Sequence, residues 1–403
     1  MAQGIPRGQL TLTILKVLDE MGGSAAPKDI YFKVGHRLGL SPEEVEKRDN
    51  TGKFSLFKRE VRWAKQDLMD QGMIASHQWN LWSLTEDARQ KLINCRPGVL
   101  VTVFFSHKGD ALWGDSLTVA GMLDDKEVML HLTSPPYPIH VQKEYGGIKP
   151  EQYVSWFMPF AEEYYRTLDD LGSLVINLGE VFNKGEPTMS TYIERLVIAL
   201  EDKLGFRLNG RFYWLNRSKL PTSHWTTRQR NHVKQTIEPC LWFSRTGITK
   251  ADNRRVLVPY SNSYLEWVEW FKNNGKRVVR PSGHLIKESY CCTDNGGAIP
   301  GNVLDIPHKG GNDPYIRACR NKGIAPHPAR MPDEVAEWFI KFLTEPNDLV
   351  ADLFAGSGTV AAASEKLDRR WIIGEKSLQY LRGALLRFSE IQTNDYLLAV
   401  AFG

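Results

Sequence analysis

The sequence of 403 residues predicts an α/β fold, in which a small helical unit over residues 1–95 precedes a parallel sheet with helices on both faces over residues 98–403. Two observations support this prediction. Strand-like apolar runs alternate with helical patterns from about residue 99 to residue 390. These runs are VLVTVFF, EVMLHLTS, GSLVINLG, RFYWLN, PCLWFS, DLVADLFAG and RWIIGE. Before residue 95, apolar residues recur instead at helical spacing.

The N-terminal unit contains three helical patterns and a short alternating segment. The apolar positions of the first and third patterns are Leu10, Ile14, Val17, Leu18 and Met21, and Phe57, Val61, Ala64 and Leu68. Between them, Ser41 and Glu44 predict a capping box. Three helices followed by a β-wing, here residues 77–85, form a winged helix-turn-helix, which is a DNA-binding arrangement. Three basic residues share another face of the third helix, and we expect them to contact DNA: Lys58, Arg62 and Lys65.

Composition excludes several classes of protein. The five cysteines include no C-x-x-C pair, so neither a disulfide framework nor a metal site is expected. No apolar stretch reaches the roughly 18 residues of a membrane span, and no signal-peptide pattern opens the chain. The net charge of +4 is compatible with a nucleic-acid partner but does not indicate one. We therefore expect a cytoplasmic protein with no metal ion and no membrane association.

A glycine-rich turn follows the apolar run that ends at Asp352. In DLFAGSGTV, Gly356 and Gly358 form a tight turn between a strand and a helix, where a ligand can approach the helix N-terminus. The next strand-like run ends in Glu375, whose carboxylate can accept hydrogen bonds from both hydroxyls of a ribose. With Ala361 the turn also satisfies G-x-G-x-x-A, so this motif alone is compatible with NAD.

A second motif, TSPPYP, follows the run EVMLHL and supplies the chemistry. An exocyclic base amine is a poor nucleophile because its lone pair is delocalised into the ring. The Ser134 hydroxyl and the Pro135 carbonyl can hold the amine hydrogens and free that lone pair, and Pro136 helps to keep the loop rigid. The Tyr137 ring can stack on a base extruded from the duplex. The nitrogen can then attack a donor methyl group without a covalent enzyme intermediate or a metal.

Together, SPPY and FAGSG resemble the amino-methyltransferases of DNA. SPPY precedes FAGSG by more than 200 residues, as in the circularly permuted β group. The resemblance covers about residues 98–390 and implies a Rossmann-like fold that uses S-adenosylmethionine. It implies a cofactor site that includes GDSL and the segment HPARMP, with the residues Asp115, His327, Asp352, Phe354, Ala355, Gly356, Ser357, Gly358, Thr359 and Glu375. Residues 1–95 resemble the N-terminal winged-helix module of Mrr-type restriction-system proteins.

The resemblance also implies that the substrate is double-stranded DNA. We expect a target-recognition region within about residues 216–326, with residues 246–326 loop-rich, and we expect Arg228, Arg230 and Lys234 to contact DNA. In this family, serine at the first position of the catalytic motif mostly accompanies methylation of cytosine N4, which we therefore expect, with adenine N6 as the alternative. The implied setting is a restriction-modification system with a partner endonuclease, associated with the nucleoid of a bacterium or archaeon. The recognition sequence, the oligomeric state, the presence of the partner endonuclease and the exact limits of the target-recognition region stay open.

Two other classes of function also stay open, namely a methyltransferase acting on RNA or protein and a DNA-binding protein without catalysis.

The segment Glu238-Pro239-Cys240 resembles the Pro-Cys nucleophile of enzymes that methylate carbon 5 of cytosine. Because it lies inside the strand-like run PCLWFS, we expect Cys240 to pack in the core.

Overall fold

The computed structural model describes residues 7–48, 55–70, 72–75, 80–85, 98, 100–138, 148–221, 223–274, 278–279, 282–283, 285–286 and 293–393. The sequence also predicts a helix that begins with TEDARQKL and a linker, NCRPGV, near residues 94–99, and most of both lie outside these ranges.

The described N-terminal residues form α1 (Arg7–Glu20), β1 (Ser24–Ala25), α2 (Pro27–Arg37), α3 (Pro42–Glu46), α4 (Leu56–Asp70), β2 (Ile74–Ala75) and β3 (Trp82–Leu84). The predicted capping box is present, because Ser41 Oγ accepts from the Glu44 backbone N–H while the Glu44 carboxylate accepts from the Ser41 backbone N–H. The strands pair antiparallel in the order β1-β3-β2. The apolar stripes of α1 and α4 meet in one core, as their helical spacing predicts.

The following elements alternate strands and helices. Up to residue 244 these elements are β4 (Leu100–Phe105), β5 (Gly109–Gly114), α5 (Ser116–Ala120), β6 (Val128–Thr133), α6 (Tyr153–Thr167), β7 (Leu168–Asn177), α7 (Tyr192–Leu204), β8 (Arg207–Leu215) and β9 (Ile237–Ser244). From residue 262 onwards they are α8 (Asn262–Asn274), β10 (Val278–Val279), β11 (Leu285–Ile286), β12 (Val303–Leu304), α9 (Pro314–Asn321), α10 (Asp333–Leu343), β13 (Leu349–Asp352), α11 (Thr359–Lys366), β14 (Arg370–Glu375), α12 (Leu378–Leu385) and β15 (Gln392–Thr393).

Ten of the described strands form one sheet in the order β12-β8-β9-β7-β6-β13-β14-β5-β4-β15. The five central strands, β7-β6-β13-β14-β5, are parallel to one another. In contrast, β9 runs antiparallel to β7 and β8, and β4 runs antiparallel to β5. The prediction of a parallel sheet is therefore wrong towards both edges. On one side the reason is the short link between β4 and β5, since only antiparallel strands can be joined by a hairpin.

Alternate side chains of the central strands enter two different cores. Leu174 and Ile176 of β7 pack with residues of α6 and α7, whereas Val175 between them packs with residues of α10. Helices therefore cover both faces of the sheet, as predicted. This two-sided burial is the reason that the central strands read as continuous apolar runs. Cys240 is fully buried in the second of these cores, as expected from its position in PCLWFS.

The expectation of a loop-rich region over residues 246–326 is wrong for several segments. The region contains α8 and α9, and β12 pairs in parallel with β8. The N-terminus of α9 is set by local chemistry, because the Asp313 carboxylate accepts from the Tyr315 backbone N–H and Pro314 occupies the first turn. Among the described residues, no helix has both the length and the apolar character needed to cross a membrane.

Candidate active site

The candidate site lies along one edge of the sheet, where the five parallel strands have their carboxyl ends. In strand order, these ends carry Asn177 at the end of β7, Ser134 after β6, Asp352 at the end of β13, Glu375 at the end of β14 and Asp115 after β5. Ligands of open α/β sheets bind outside the carboxyl ends of the strands. The motifs SPPY and FAGSG lie far apart in the chain. They are neighbours in the structure because β6 and β13 are adjacent in the sheet.

The glycine turn between β13 and α11 has the backbone conformation that only glycine adopts readily. The φ angles of Gly356 and Gly358 are +51° and +69°. The Gly356 N–H donates to Glu375 Oε2 at 2.8 Å, and the Ser377 N–H donates to Glu375 Oε1 at 2.8 Å. Burial raises the pKa of the Glu375 carboxyl. The acid at the end of β14 therefore also connects the glycine turn to Ser377, the residue before α12.

Several residues of the motif face the protein. A Cβ atom on Gly358 would lie 2.6 Å from Cβ of Ala384 in α12. The Ser357 and Thr359 hydroxyls lie 3.1 Å apart in the interior, and the Ser357 carbonyl accepts from Arg387 Nε at 2.7 Å. Ala355 is buried in the core with α12. Gly358 therefore permits close packing of α11 against α12, and Ala355, Ser357 and Thr359 are buried.

His327 lies over the turn. A Cβ atom on Gly356 would be 3.2 Å from the His327 ring, and that ring packs edge-on against Tyr380 of α12 with ring centroids 4.3 Å apart. Nδ1 of His327 contacts the Ala329 carbonyl. Burial lowers the pKa of His327 to about 4, so the ring is neutral at physiological pH. The imidazole thus forms an uncharged wall beside Gly356.

Asp115 marks the other end of the site. Its carboxylate caps α5 by accepting from the backbone N–H groups of Leu117 and Thr118 at 3.2 and 3.1 Å. The adjacent Ser116 hydroxyl donates to the Leu353 carbonyl. This bond connects the start of α5 to the segment that leads into the glycine turn. Phe354 in that segment packs edge-on against Phe160 of α6, with ring centroids 5.1 Å apart.

A buried hydrogen bond joins the two motifs directly. Thr133 Oγ1 donates to Asp352 Oδ1 at 2.9 Å, and the Phe354 N–H donates to the same oxygen at 3.0 Å. Thr133 immediately precedes Ser134, and Phe354 immediately precedes the glycine turn. Burial raises the pKa of Asp352 to about 7. Asp352 is thus buried beneath both loops and connects them.

Ser134, which the sequence predicts to be catalytic, has a partner that the sequence did not indicate. Ser134 Oγ donates to Asn177 Oδ1 at 3.3 Å. Asn177 is 4% exposed, and its Nδ2 lies 3.5 Å from the Pro239 carbonyl oxygen and 3.4 Å from Cys240 Sγ. A polar residue at the end of the apolar run GSLVIN is a signal that could have pointed to it. The amide holds the serine hydroxyl in one orientation.

The remaining residues of the second motif form the surface beside Ser134. Pro135 is buried, while Pro136 and Tyr137 are half-buried. The Tyr137 ring packs on Gly179, where a Cβ atom would lie 2.8 Å from the ring. The Gly179 carbonyl accepts from the buried Tyr192 hydroxyl. Gly179 therefore makes room for the ring that the sequence predicts to stack on a base.

Comparisons with known proteins identify the family. A family model described as DNA methylase matches residues 128–386. This chain belongs to the DNA methylase family. A second model, described as the Mrr N-terminal domain, matches residues 8–94 of the DNA methylase. The expected resemblances to DNA methyltransferases and to Mrr-type modules are thereby confirmed.

The similar proteins include type II methyltransferases. The DNA methylase is 38% identical over 286 residues to the type II methyltransferase M.PvuII of Proteus hauseri, a match that covers 71% of this chain and 85% of that protein. A solved structure titled PvuII DNA methyltransferase (cytosine-N4-specific) matches with a TM-score of 0.59 and 30% identity, over 75% of this chain and 95% of that one. The DNA adenine methyltransferase YhdJ of Escherichia coli is 22% identical, over 72% of this chain and 86% of that protein.

The basic residues predicted to contact DNA lie in two places of the DNA methylase. Lys58, Arg62 and Lys65 share one face of α4, where they line a groove of about 650 Å³ with Tyr31 and Trp82. Lys58 forms an ion pair with Glu46 at 2.5 Å, and Lys65 lies over the Trp82 ring. Arg62 is exposed. The second group lies on the connection between β8 and β9 and is exposed: Arg228, Arg230 and Lys234.

Proposed function

We propose that this DNA methylase transfers a methyl group from S-adenosylmethionine to the N4 amine of cytosine in double-stranded DNA, as the modification enzyme of a restriction-modification system. The observation that supports it most directly is the Ser134–Asn177 pair beside the glycine turn. The similarity of this chain to a solved cytosine-N4-specific methyltransferase, at 30% identity over 75% of this chain, supports the choice of base.

The residues at the strand ends fit S-adenosylmethionine. Glycine at positions 356 and 358 permits the positive φ angles of the turn that leads into α11, whose N-terminus can approach a ligand, and the neutral His327 ring offers an uncharged surface next to the turn. Glu375 and Asp115 at neighbouring strand ends would hold the ribose and the adenine. The described residues contain no group of three or more His, Cys, Asp or Glu arranged to hold a metal ion. When bound, the cofactor supplies a methyl group on a positively charged sulfur.

Ser134 and Tyr137 would act on the target base. Because the Ser134 hydroxyl donates its hydrogen to Asn177, its oxygen lone pairs stay available to accept a hydrogen from the base amine. The Pro135 carbonyl would accept the second amine hydrogen. Held in this way, the nitrogen can direct its lone pair at the methyl group. Tyr137, supported by Gly179, would stack on the extruded ring.

Adenine N6 is the second candidate for the target. The observation that favours it is the similarity of this chain to the DNA adenine methyltransferase YhdJ, at 22% identity. Digestion of methylated DNA to nucleosides, followed by mass spectrometry, separates the two. We expect N4-methylcytosine; a product containing only N6-methyladenine would overturn the choice of base and leave the transfer mechanism. Single-molecule sequencing of DNA from a methylation-free host that expresses the chain would identify the recognition sequence.

The cofactor proposal is tested by calorimetry. We expect S-adenosylhomocysteine to bind and NAD not to bind, and binding of NAD alone would refute it. Ser134→Ala should remove most methyl transfer while cofactor affinity stays near that of the wild type, because the serine acts on the base. Near-full turnover by Ser134→Ala would show that the amine is held in some other way.

We further propose a division of labour along the chain. Residues 1–95 would form a winged-helix DNA-binding module, residues 98–403 the methyltransferase domain, and residues 216–326 would contain the target-recognition region. The match of residues 8–94 to the Mrr N-terminal domain supports the first assignment. The exposed Arg228, Arg230 and Lys234 support the last. A partner endonuclease that cuts the same sequence would complete the system.

A further inference from the structure

A groove of about 520 Å³ opens beside the catalytic loop. It is lined on one side by the segment that follows Asn177 and Gly179, and on the other by the connection between β8 and β9. We call it the lateral groove; its lining residues are Glu180, Val181, Phe182, Asn183, Lys184, Gly185, Lys219, Leu220, His224, Trp225 and Gln235. Because Gly179 supports the Tyr137 ring, the groove begins one residue from the surface on which a base would stack.

Leu220 stands out among these residues. It is 87% exposed, although it is a large apolar side chain and lies in a polar stretch of sequence. Val233, on the same connection, is 85% exposed but is not among the residues that line the lateral groove. Burial of a leucine side chain in an apolar environment is favourable, so an exposed leucine at the edge of a groove is suited to contact a partner.

The backbone that carries Leu220 is held at several points. The Asn216 N–H donates to the Thr236 carbonyl at 2.7 Å, and the Lys219 N–H donates to the Asn216 carbonyl at 3.2 Å, which closes a tight turn. Arg217 forms a bidentate ion pair with Asp305, in which Nε donates to Oδ1 at 3.0 Å and Nη2 donates to Oδ2 at 2.5 Å. Lys219 pairs with Glu238 at 3.2 Å. Leu220 is thus presented from a braced turn, so little conformational entropy is lost when it is buried.

Charge at the groove fits DNA as the occupant. Lys184 on one side is exposed, whereas Lys219 on the other side is paired with Glu238, and Glu180 adds one acidic side chain to the lining. The connection that carries Leu220 also carries the exposed Arg228 and Arg230. Basic side chains of this kind hold phosphates and position the duplex. The exposed cations, Lys184, Arg228 and Arg230, would therefore bring a phosphate backbone to the groove and to the connection that carries Leu220.

We propose that Leu220 enters the base stack of the bound duplex and fills the space left by the extruded target base, a role that rests on the proposed function. Extrusion leaves the neighbouring bases without a stacking partner, which is unfavourable. Apolar side chains insert between base steps in other DNA-binding proteins, and one that enters the gap left by an extruded base would restore contacts with the bases on either side. Leu220 is thus a positioning residue for extrusion, separate from the chemistry at Ser134.

Kinetics on two duplexes test this role. One carries the target base in its normal pair, and the other carries an abasic site opposite the target, which makes extrusion easier. Leu220→Ala should lower kcat/KM about tenfold on the paired duplex and less than about twofold on the duplex with the abasic site. Val233→Ala, the matched control, should stay within about twofold of the wild type on both. An unchanged affinity for S-adenosylhomocysteine verifies that the variants are folded.

Fluorescence gives an independent readout. A pyrrolo-cytosine at the target position brightens when it leaves the stack, and Leu220→Ala should reduce that increase while Val233→Ala should not. Equal losses for Leu220→Ala on the two duplexes, or no loss on either, would overturn the proposed role. If the wild type modifies adenine instead, the same duplexes are built around that adenine, with 2-aminopurine as the fluorescent base, and only the choice of base falls. If the wild type modifies no DNA, both proposals fall.

Discussion

The contact between Ser134 and Asn177 leads to a specific expectation for catalysis. Asn177→Ala removes the acceptor that lies 3.3 Å from Ser134 Oγ and leaves the hydroxyl free to rotate. One neutral hydrogen bond contributes about 1 kcal/mol, which corresponds to about fivefold in rate. A displacement of the hydroxyl by about 1 Å can cost about a hundredfold. We therefore expect kcat to fall between fivefold and a hundredfold, with the affinity for S-adenosylhomocysteine unchanged.

The isosteric variant Asn177→Asp distinguishes positioning from packing. One carboxyl oxygen could still accept from Ser134, but the other would face the Pro239 carbonyl oxygen, which Asn177 Nδ2 approaches to 3.5 Å in the wild type. Two acceptors repel each other, and the site is buried, so the pKa of the new carboxyl should rise well above its ordinary value. The protonated acid can replace the amide, whereas the ionised one cannot. Activity of Asn177→Asp should therefore fall with rising pH in a range where the wild type does not lose activity.

The assay is steady-state methyl transfer to DNA over pH 6–9, with kcat and KM separated. Asn209→Ala serves as a control, because Asn209 of β8 likewise accepts a side-chain hydrogen bond from a serine, Ser244 at the carboxyl end of β9, and does not line the lateral groove. A merely structural role for Asn177 would lower the stability of both variants without moving the pH profile. Wild-type kcat for Asn177→Ala, or identical pH profiles for Asn177→Asp and the wild type, would refute the role.

Three further expectations follow from the geometry. Gly179→Ala should raise KM for DNA and lower kcat, because its Cβ would lie 2.8 Å from the Tyr137 ring; unchanged kinetics would contradict this contact. Asp352→Asn should stabilise the cofactor-free protein at pH 8, by up to about 4 kcal/mol, and less towards pH 5. The sign follows from the raised pKa of about 7, since the stability gained from a protonated buried acid is lost as pH rises through that value; a difference in Tm that does not vary with pH would argue against it. Replacing Lys58, Arg62 and Lys65 together with alanine should reduce the slope of log K for DNA against log salt by about 0.9 for each lost phosphate contact, and an unchanged slope would favour a protein-binding role for the module.

Local patterns in the sequence predicted much of this protein. Its capping box at Ser41 and Glu44, its amphipathic N-terminal helices and its central strands are each set by residues a few positions apart. The motifs SPPY and FAGSG are each four or five consecutive residues long, so they can be recognised in the sequence alone and indicated the family. The two-sided burial of the central strands was also readable, because it leaves continuous apolar runs.

Contacts between distant segments were decided only by the tertiary structure. Ser134 and Asn177 are 43 residues apart, and Thr133 and Asp352 are 219 apart, so no local pattern pairs them. They meet because β6 lies between β7 and β13, and strand order is set by packing of the whole sheet. Gly358 and Ala384 of α12 likewise come into contact only through the tertiary structure. The exposure of Leu220 beside the segment that follows Asn177 depends on where the β8–β9 connection lies. A sequence states which side chains are available, but the order of its strands decides which of them share a site.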